Sequence, residues 1–461
     1  MNEHLLAEFV ARLHLGAVPG DVQRIVRRMV LAVAGTGFAG AAEDGVVALR
    51  ELLLEAGGAP QATVLVHGDR LPAHAAAQLN ATMCRALDFC DAMAPGPHIG
   101  AALFPAALAA AELAGGCAGE EFLAALVAGA ELASRLNLSE AQYDGFDPTG
   151  IVVVFAAAAA ASRILGLTTE QTLHALALAF NRCGGSFQSH VDGSLGVRVV
   201  QGWVAEAGVQ CARMAQRGIT GPVHFLGGHY GFAHLFGRGT LDPGAVTRGL
   251  GDDWKVRNVV FKKYPSCGVT QGVTELALGL VAETGLRASD VQRALVRLPP
   301  YAHRLVGHAF RIGANPRVDA QFNAGYCVAS ALVRGASRLQ HFAPAQVDDP
   351  LVRDMIGRID VVADEALDAR GHAAVDLVVT TRDGRTHRRQ LDVPPGFPGA
   401  ELDDAQHLAR FSDCLAYAPR PPSPAQAERL MQAIEGIAAL PDVRALVPML
   451  VARPAGGSTA L

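Results

Sequence analysis

The chain has 461 residues, of which 50% are hydrophobic and 18% are charged. This length exceeds what one hydrophobic core usually organises, so it predicts two domains. The net charge of −5 offers no broad attraction for nucleic acid or for anionic lipid, and neither is expected as a partner.

The N-terminus and the cysteines bear on location and on cofactors. The sequence MNEHLLAEF lacks the basic and apolar segments of a secretory signal, and the longest apolar run, residues 151–161, is too short to cross a bilayer. Eight cysteines are scattered along the chain without a C-x-x-C pair that could seat zinc or an iron–sulfur cluster. We therefore expect a cytoplasmic protein with reduced thiols and no metal or other cofactor.

Hydrophobic periodicity divides the chain into a helical part and a mixed part. Up to about residue 250, apolar residues recur at helical spacing in residues 21–34, 75–89, 120–136, 169–183 and 204–217, and residues 151–161 are predicted to form a buried helix. Beyond Trp254, strands are predicted at residues 259–261, 291–298, 358–362, 375–381 and 385–393. An Asp-Gly pair at residues 383–384 predicts a hairpin between the last two.

Helices return within and after the strand-rich region. They are predicted at residues 272–284 and 324–333, and then at residues 423–437 and 441–451. This order predicts a mainly α protein with an α+β insertion. We place a helical body at residues 1–257, a smaller α+β lid domain at 258–396 and the rest of the body at 397–452, and we expect a disordered tail at 453–461.

One glycine motif raises the question of a dinucleotide site. Residues 35–40 read GTGFAG and match the G-x-G-x-x-G pattern. They follow an amphipathic helix rather than a strand, and no second βαβ unit comes after them, as a dinucleotide-binding fold would require. We interpret the motif as a glycine-rich turn between two helices.

Two acidic segments contain candidate site residues. Asp88 and Asp91 are three residues apart at the predicted end of a helix, and His98 follows in a loop that two prolines shape. Residues on one helical face together with a loop histidine can converge on a ligand, although capping and turn formation are the alternative. Asp147 and Thr149 precede the alanine-rich helix, where either can cap the helix or help to bind a carboxylate.

The lysines and one tyrosine add further candidates. The chain has only three lysines, Lys255, Lys262 and Lys263, within one nine-residue stretch. A lysine amine can serve as a base or an acid when its surroundings tune it, whereas solvated surface lysines are the alternative. Tyr326 lies where a helix is predicted to begin and offers a hydroxyl, and an ordinary core aromatic is its alternative.

Seven segments in order resemble the MmgE/PrpD family, which includes 2-methylcitrate dehydratase, cis-aconitate decarboxylase and iminodisuccinate epimerase. They are RALDFCD, HIGAALFPAALAAAE, GFDPTG with AAAAAASRILGL, GWVAEAGVQCARMAQRGITGP, KKYPSC, AQFNAGYCVASALV and RFSDC. The resemblance covers nearly the whole chain. It implies an all-α body, an α+β lid, a homodimer, and an active site between body and lid.

The resemblance also implies catalytic positions. Asp88 and His98 match the acid and the histidine of the family's LDFDD…HP segment, Lys262 matches the lysine of its K-x-Y/F-P motif, and Tyr326 matches the tyrosine of the lid helix. The chain departs from the pattern at four places: Ala92 replaces a common threonine, Asp147 stands where histidine is usual, Val197 takes a lysine position with Val200 replacing a nearby histidine, and Cys267 lies where some members have histidine. The predicted substrate-binding residues are Asp91, Asp147, Thr149, Arg198, Lys263 and Cys267.

The reaction that the resemblance implies is the removal of a proton next to a carboxylate of a small di- or tricarboxylate, followed by loss of water. Lys262 and Arg198 are the cations that could stabilise the resulting dianion. The base could be His98, oriented by Asp88, or Lys262 itself, and Tyr326 is the candidate acid. Epimerisation and decarboxylation would start from related chemistry, and a non-catalytic binding protein is the third hypothesis.

Overall fold

The computed structural model describes residues 2–452. It is 58% helical with 9% strand, which confirms the predicted mainly α fold with a smaller α+β part. The predicted disordered tail at residues 453–461 lies outside the described residues. None of the helices within residues 2–452 is long and apolar enough to cross a membrane.

The N-terminal part of the chain forms the helices of the body. They are α1 Asn2–Arg12, α2 Gly20–Gly40, α3 Val46–Ala56, α4 Ala73–Arg85, α5 Gly100–Leu113, α6 Gly119–Leu136, α7 Pro148–Ile164, α8 Thr169–Phe180, α9 Gln188–Val191, α10 Gly196–Gln216, α11 Phe232–Leu235 and α12 Pro243–Thr247. Short strands interrupt them at β1 Ala62–Thr63, β2 Arg70–Leu71 and β3 Asp91–Met93.

Helix α7 lies at the centre of the body. Asp147 caps its N-terminus, Pro148 occupies the first turn, and every residue from Pro148 to Ile164 is buried. Its alanines permit close approach: a Cβ atom added to Gly208 of α10 would lie 2.4 Å from Cβ of Ala157. Small residues at this contact therefore allow α10 to pack tightly against α7.

The glycine motif at residues 35–40 is part of α2, so its interpretation as a turn is wrong. A Cβ atom at Gly40 would lie 2.2 Å from the carbonyl oxygen of Met83 in α4, and one at Gly35 would lie 3.0 Å from the ring of Phe411. The glycines thus permit close packing of α2 against neighbouring helices. The glycine pattern is therefore explained by helix packing, and it does not form a phosphate-binding loop.

The α+β part and the C-terminal helices complete the chain. The first comprises β4 Val259–Phe261, α13 Gln271–Thr284, β5 Val291–Leu298, α14 Pro300–Val306, α15 Pro316–Gln321, α16 Ala324–Arg334, α17 Pro344–Val347, α18 Pro350–Ile356, β6 Ile359–Ala363, β7 Val375–Thr381 and β8 Thr386–Leu391. The second comprises α19 Asp404–Tyr417, α20 Pro424–Glu435 and α21 Val447–Leu450. Most of the predicted segment 441–451 is 3₁₀-helical or irregular instead of one α-helix.

Four strands form one sheet in the order β6-β5-β7-β8. Strands β5 and β6 are parallel, whereas β5 pairs antiparallel with β7 and β7 with β8. Gly384 has a φ of +85° in the turn between β7 and β8, which confirms the hairpin predicted from the Asp-Gly pair. Helix α13 packs against β7 and β8.

The two largest apolar cores among the described residues follow this arrangement. One contains buried residues between Leu6 and Phe261 and again between Leu402 and Ala452, while the other contains buried residues between Val269 and Val379. The second core is built by the sheet and the helices packed on it. The domain boundaries at 257/258 and 396/397 stay predictions.

Candidate active site

A two-stranded sheet brings together residues that are far apart in sequence. Strand β3 pairs antiparallel with β4, with Asp91 opposite Phe261 and Met93 opposite Val259. In this register the residue that follows β4, Lys262, lies beside the residues that precede β3. The pairing therefore places a lysine against the loop that contains Asp88.

Asp88 and Asp91 do not share a helical face, which corrects the sequence-based placement. Helix α4 ends at Arg85, and Asp88 lies in the following loop with a φ of +51°. Asp91 is the first residue of β3, and its carboxylate accepts hydrogen bonds from the N–H groups of Ile99 and Gly100 at the start of α5. Asp91 thus caps a helix, whereas the carboxylate of Asp88 lies at the pocket.

Asp88 is the centre of a buried ion cluster. Its Oδ1 lies 2.7 Å from Nζ of Lys262 and 2.6 Å from Nη1 of Arg85. Burial opposes ionisation of the carboxyl group, but the two cations outweigh it and hold the pKa of Asp88 well below its usual value. Two cations around one carboxylate leave the cluster with one net positive charge.

Side chains from several parts of the chain hold the Asp88 loop through its carbonyl groups. We call this set of contacts the carbonyl clamp. Gln321 of α15 donates to the carbonyl of Leu87 at 2.6 Å, Lys262 to that of Asp88 at 2.8 Å, and Arg410 of α19 to that of Phe89 at 2.8 Å. The clamp stabilises a left-handed backbone at Asp88 that a non-glycine residue rarely adopts.

His98 lies beside this cluster with its ring orientation fixed. Its Nδ1 is 2.8 Å from the carbonyl oxygen of Asp91, and because a carbonyl only accepts, Nδ1 carries the proton. Nε2 therefore keeps its lone pair, 3.7 Å from Oδ1 of Asp88. Burial, together with Arg85 and Lys262, lowers the pKa of His98 well below its usual value, so the imidazole is neutral at pH 7.

The backbone of His98 is also held in place. Its N–H donates to Oγ1 of Thr149 at 3.1 Å, and its carbonyl accepts from Nε2 of Gln201 at 2.8 Å. Asp147 in turn accepts from the N–H of Thr149 at 2.9 Å as the cap of α7. The imidazole of His98 is therefore oriented by the carbonyl of Asp91 and not by Asp88 as predicted. Thr149 holds the backbone of His98 through its hydroxyl group.

A pocket opens beside the cluster, between the helical body and the α+β part. Asp88, His98, Lys262 and Cys267 line it, and its cavity volume is about 140 Å³. One water molecule needs roughly 10–15 Å³ by this measure, so the pocket has room for a small organic ligand. A neutral base and a fixed cation at the wall of a pocket suit the removal of a proton from a carbon acid.

Comparison with known families identifies the family to which the chain belongs. A model of the MmgE/PrpD N-terminal domain matches residues 4–243, and a model of the MmgE/PrpD C-terminal domain matches residues 264–435. The chain belongs to the MmgE/PrpD family. The resemblance carried by the seven sequence segments is thereby confirmed.

Relatives within the family are named as decarboxylases. The chain is 28% identical over 428 residues to the cis-aconitate decarboxylase-like protein oryM of Aspergillus oryzae, covering 87% of each chain. It is 25% identical over 411 residues to human cis-aconitate decarboxylase, covering 85% of this chain and 84% of the relative. The mouse protein of the same name is 24% identical over 369 residues, covering 77% and 74%. Decarboxylases are lyases, which supports an enzyme of the lyase class here.

Tyr326, which the family resemblance made the candidate acid, does not reach the pocket. It is 0% exposed, and its hydroxyl donates to the carbonyl of His341 at 2.5 Å. Tyr301 of α14 lines the pocket instead. Its hydroxyl lies 3.4 Å from the carbonyl oxygen of Pro95, a long contact that leaves it available to a ligand.

Two predicted cations also point elsewhere. Arg198 donates to the carbonyl of Asp44 at 2.6 Å and lies 3.7 Å from the carboxylate of Glu43. Lys263 pairs with Glu275 at 2.8 Å. Neither of the two lines the pocket, so the cations near Asp88 are Lys262 and Arg85. Arg85 was not among the predicted site residues, although it belongs to the RALDFCD segment.

His190 is a second pocket residue that the sequence did not reveal. Its ring stacks on Phe187 with centroids 4.3 Å apart, and its Nδ1 lies 4.0 Å from Oδ2 of Asp147. Burial lowers the pKa of His190 to about 4, so the ring is neutral at pH 7. The absence of the family's usual histidine at position 147 was the one signal that could have prompted a search for a histidine nearby.

Cys267 is the remaining predicted residue that lines the pocket. Burial raises the pKa of its thiol to about 11, so Cys267 is a neutral thiol at pH 7. Within residues 2–452, no group of three or more histidine, cysteine, aspartate or glutamate side chains is arranged to hold a metal ion. Among the described residues that line the pocket, the charged side chains are Asp88 and Lys262, which both belong to the Asp88 cluster.

Proposed function

We propose that this protein is a lyase that removes a proton from the carbon next to a carboxylate of a small hydroxy acid and then expels water. One observation carries the proposal. The lone pair of Nε2 of His98 lies at a pocket wall beside the buried Lys262–Asp88 pair. A neutral imidazole with a free Nε2 can accept a proton, and it cannot donate one from that nitrogen.

The Asp88 cluster supplies the electrostatic stabilisation. When a carbon next to a carboxylate loses its proton, negative charge accumulates on oxygens that already carry one charge. Lys262 offers an ammonium group at the pocket, and Arg85 adds a second positive charge behind Asp88. Fixed charges of this kind are strong in a site with little water, because no solvent has to reorganise when the charge develops.

Expulsion of water needs a proton on the leaving oxygen, and Tyr301 is our candidate donor. Burial raises the pKa of its phenol, so the hydroxyl is protonated at pH 7. His98 takes the proton from carbon, the electron pair of the C–H bond forms the C=C bond, and the C–O bond breaks as Tyr301 gives its proton to the departing oxygen. Proton exchange with solvent then restores both side chains.

Decarboxylation is the second candidate, and the names of the relatives favour it. In that reaction CO₂ leaves first and the remaining carbanion needs a proton. His98 would have to be protonated to give one, and in the free protein its lowered pKa opposes this. The two candidates therefore assign opposite protonation states to the same imidazole.

Proton exchange and product analysis test the proposal together. The protein is incubated in D₂O with a panel of 2- and 3-hydroxy acids and their unsaturated products, and the mixture is followed by NMR. We expect deuterium next to the carboxylate, loss of water, and neither in His98→Gln. Release of CO₂ without exchange in the hydroxy acids would support decarboxylation. Absence of exchange and of any product across the panel would support a binding protein.

We also propose that the protein is a homodimer. Trp203 and Met214 lie three helical turns apart on one face of α10, and they are 53% and 39% exposed. Large apolar side chains in one exposed row are typical of surfaces that another protein covers. This observation supports the association that the family resemblance implies.

A further inference from the structure

The pocket has few charged side chains. Lys262 is the only lysine or arginine among the described residues that line it, and Asp88 is the only acidic residue there. With Arg85 behind Asp88, these groups sum to one net positive charge. This charge can balance one carboxylate of a ligand, whereas a second or third carboxylate would enter the pocket without a cationic partner.

Much of the rest of the wall is aromatic or aliphatic, although His372, Tyr143 and Cys267 also line it. The apolar side chains include Phe146, Phe187, Phe322, Phe397, Val260 and Leu305. Phe322 and Phe187 both contact the neutral ring of His190, with centroid distances of 5.5 Å and 4.3 Å. Apolar side chains of this size favour an apolar ligand group, because such a group loses no hydrogen bonds to water when it is buried.

The far side of this wall also disfavours negative charge. Asp147 lies behind His190, with Oδ2 at 4.0 Å from Nδ1 of the ring. A carboxylate placed against His190 would face the carboxyl group of Asp147 across one neutral ring. An apolar substituent at the same place meets no such repulsion.

Resting on the proposed function, we infer that the substrate is a monocarboxylate, with its carboxylate at Lys262 and an aromatic or branched apolar substituent against Phe187, His190 and Phe322. This departs from the di- or tricarboxylate expected from the family resemblance. The physical reason is that the pocket offers one cation where a polycarboxylate needs several.

Cinnamate and fumarate form a matched pair of probes, because fumarate has a carboxylate where cinnamate has a phenyl ring. Each is titrated into the full-length protein by calorimetry. We expect cinnamate to bind at least tenfold more tightly, since each buried CH₂ equivalent strengthens binding roughly fourfold. Lys262→Met should weaken both acids, because both present a carboxylate to it.

A charge placed on the wall provides the reciprocal test. Phe187→Arg should narrow or reverse the preference for cinnamate, and Phe187→Leu, which keeps the wall apolar, should retain it. Phe187 is only partly buried, so both variants should fold. Circular dichroism checks folding before the titrations.

The outcomes separate this inference from the proposed function. Equal or tighter binding of fumarate or of cis-aconitate overturns the inference, and so does failure of both probes to bind at millimolar concentration. Preferential binding of cinnamate without dehydration of 3-hydroxy-3-phenylpropanoate, and without deuterium exchange, retains the inference while the lyase proposal fails. Dehydration of malate in preference to 3-hydroxy-3-phenylpropanoate would support the lyase proposal and reject the inferred substrate class.

Discussion

Replacement of Lys262 by methionine removes the ammonium group and keeps the length of the side chain. The lysine is 1% exposed, and its Nζ contacts both the carboxylate and the carbonyl of Asp88, at 2.7 Å and 2.8 Å. Loss of one partner from a buried ion pair costs about 3–5 kcal/mol. Arg85 remains 2.6 Å from the same carboxylate oxygen, so we expect the lower end, about 3 kcal/mol.

The catalytic effect should be of similar size. If Lys262 stabilises the charge that develops on the substrate, Lys262→Met should lower kcat/KM by roughly 10²–10³-fold, or about 3–4 kcal/mol. Lys262→Arg should recover part of this loss, because it keeps the charge but changes its shape and reach. Turnover is measured by the NMR assay, and stability by urea unfolding followed by circular dichroism.

The stability effect should depend on pH. A carboxyl group whose pKa is lowered in the folded state, as that of Asp88 is, contributes stability above its unfolded pKa of about 3.9, and this is lost as the pH falls through the folded value. The difference in unfolding free energy between wild type and Lys262→Met should therefore be full at pH 7. It should shrink as the pH falls below about 4.

The other two lysines serve as controls. Lys255 is paired with Asp253 and is 41% exposed at its side chain, and Lys263 is paired with Glu275. Ion pairs that remain in contact with solvent contribute about 0–1 kcal/mol, and the side chains of Lys263 and Glu275 are 26% and 33% exposed, so methionine at either position should change stability and activity little. Equal kcat/KM of wild type and Lys262→Met would refute the electrostatic role. A collapse of activity in Lys263→Met instead would show that the orientation of the two lysines is wrong.

Four further outcomes test the site and the assembly. Because burial and nearby cations lower the pKa of His98, kcat/KM should be flat between pH 8 and 6 and fall at lower pH, as a base requires; a decline as pH rises would make His98 an acid. Tyr301→Phe should lower kcat roughly 10²–10⁴-fold, whereas Tyr326→Phe should lower stability by about 1–2 kcal/mol and leave kcat nearly unchanged. Gln321→Leu, which removes a donor of the carbonyl clamp, should lower kcat more than it raises KM; an unchanged kcat would remove Gln321 from the support of the site. Sedimentation at micromolar concentration should give a dimer, and Trp203→Glu should give a monomer; a monomeric wild type would contradict the proposed homodimer.

Local patterns predicted most of the fold. Strands β5 and β7 begin and end at the predicted residues, because alternation and flanking turn residues are properties of short segments. The end of α4 was misplaced by four residues, since the sequence through Phe89 keeps a helical apolar pattern while the clamp holds Asp88 at a φ of +51°. A backbone conformation imposed by distant donors leaves no local signal.

The candidate site was predicted in part for the same reason. Asp88, His98 and Lys262 lie together as expected, and they came from motifs that the chain shares with its family. Tyr326 also came from such a motif, yet its hydroxyl is held by a carbonyl inside the second core. Arg85 and His190 were missed, because a buried arginine and a stacked histidine look ordinary until their neighbours are known.

The carbonyl clamp links the chemistry of the pocket to the docking of the α+β part. Its donors come from three stretches of chain: Lys262 follows β4, Gln321 belongs to α15, and Arg410 belongs to α19. Each donor satisfies a buried carbonyl, and a carbonyl left without a partner in such a place costs about 1–3 kcal/mol. Displacement of α15 would therefore remove the donor to the carbonyl of Leu87, next to Asp88. The geometry of the Lys262–Asp88 ion pair thus depends on contacts that also join α15 to the loop after α4.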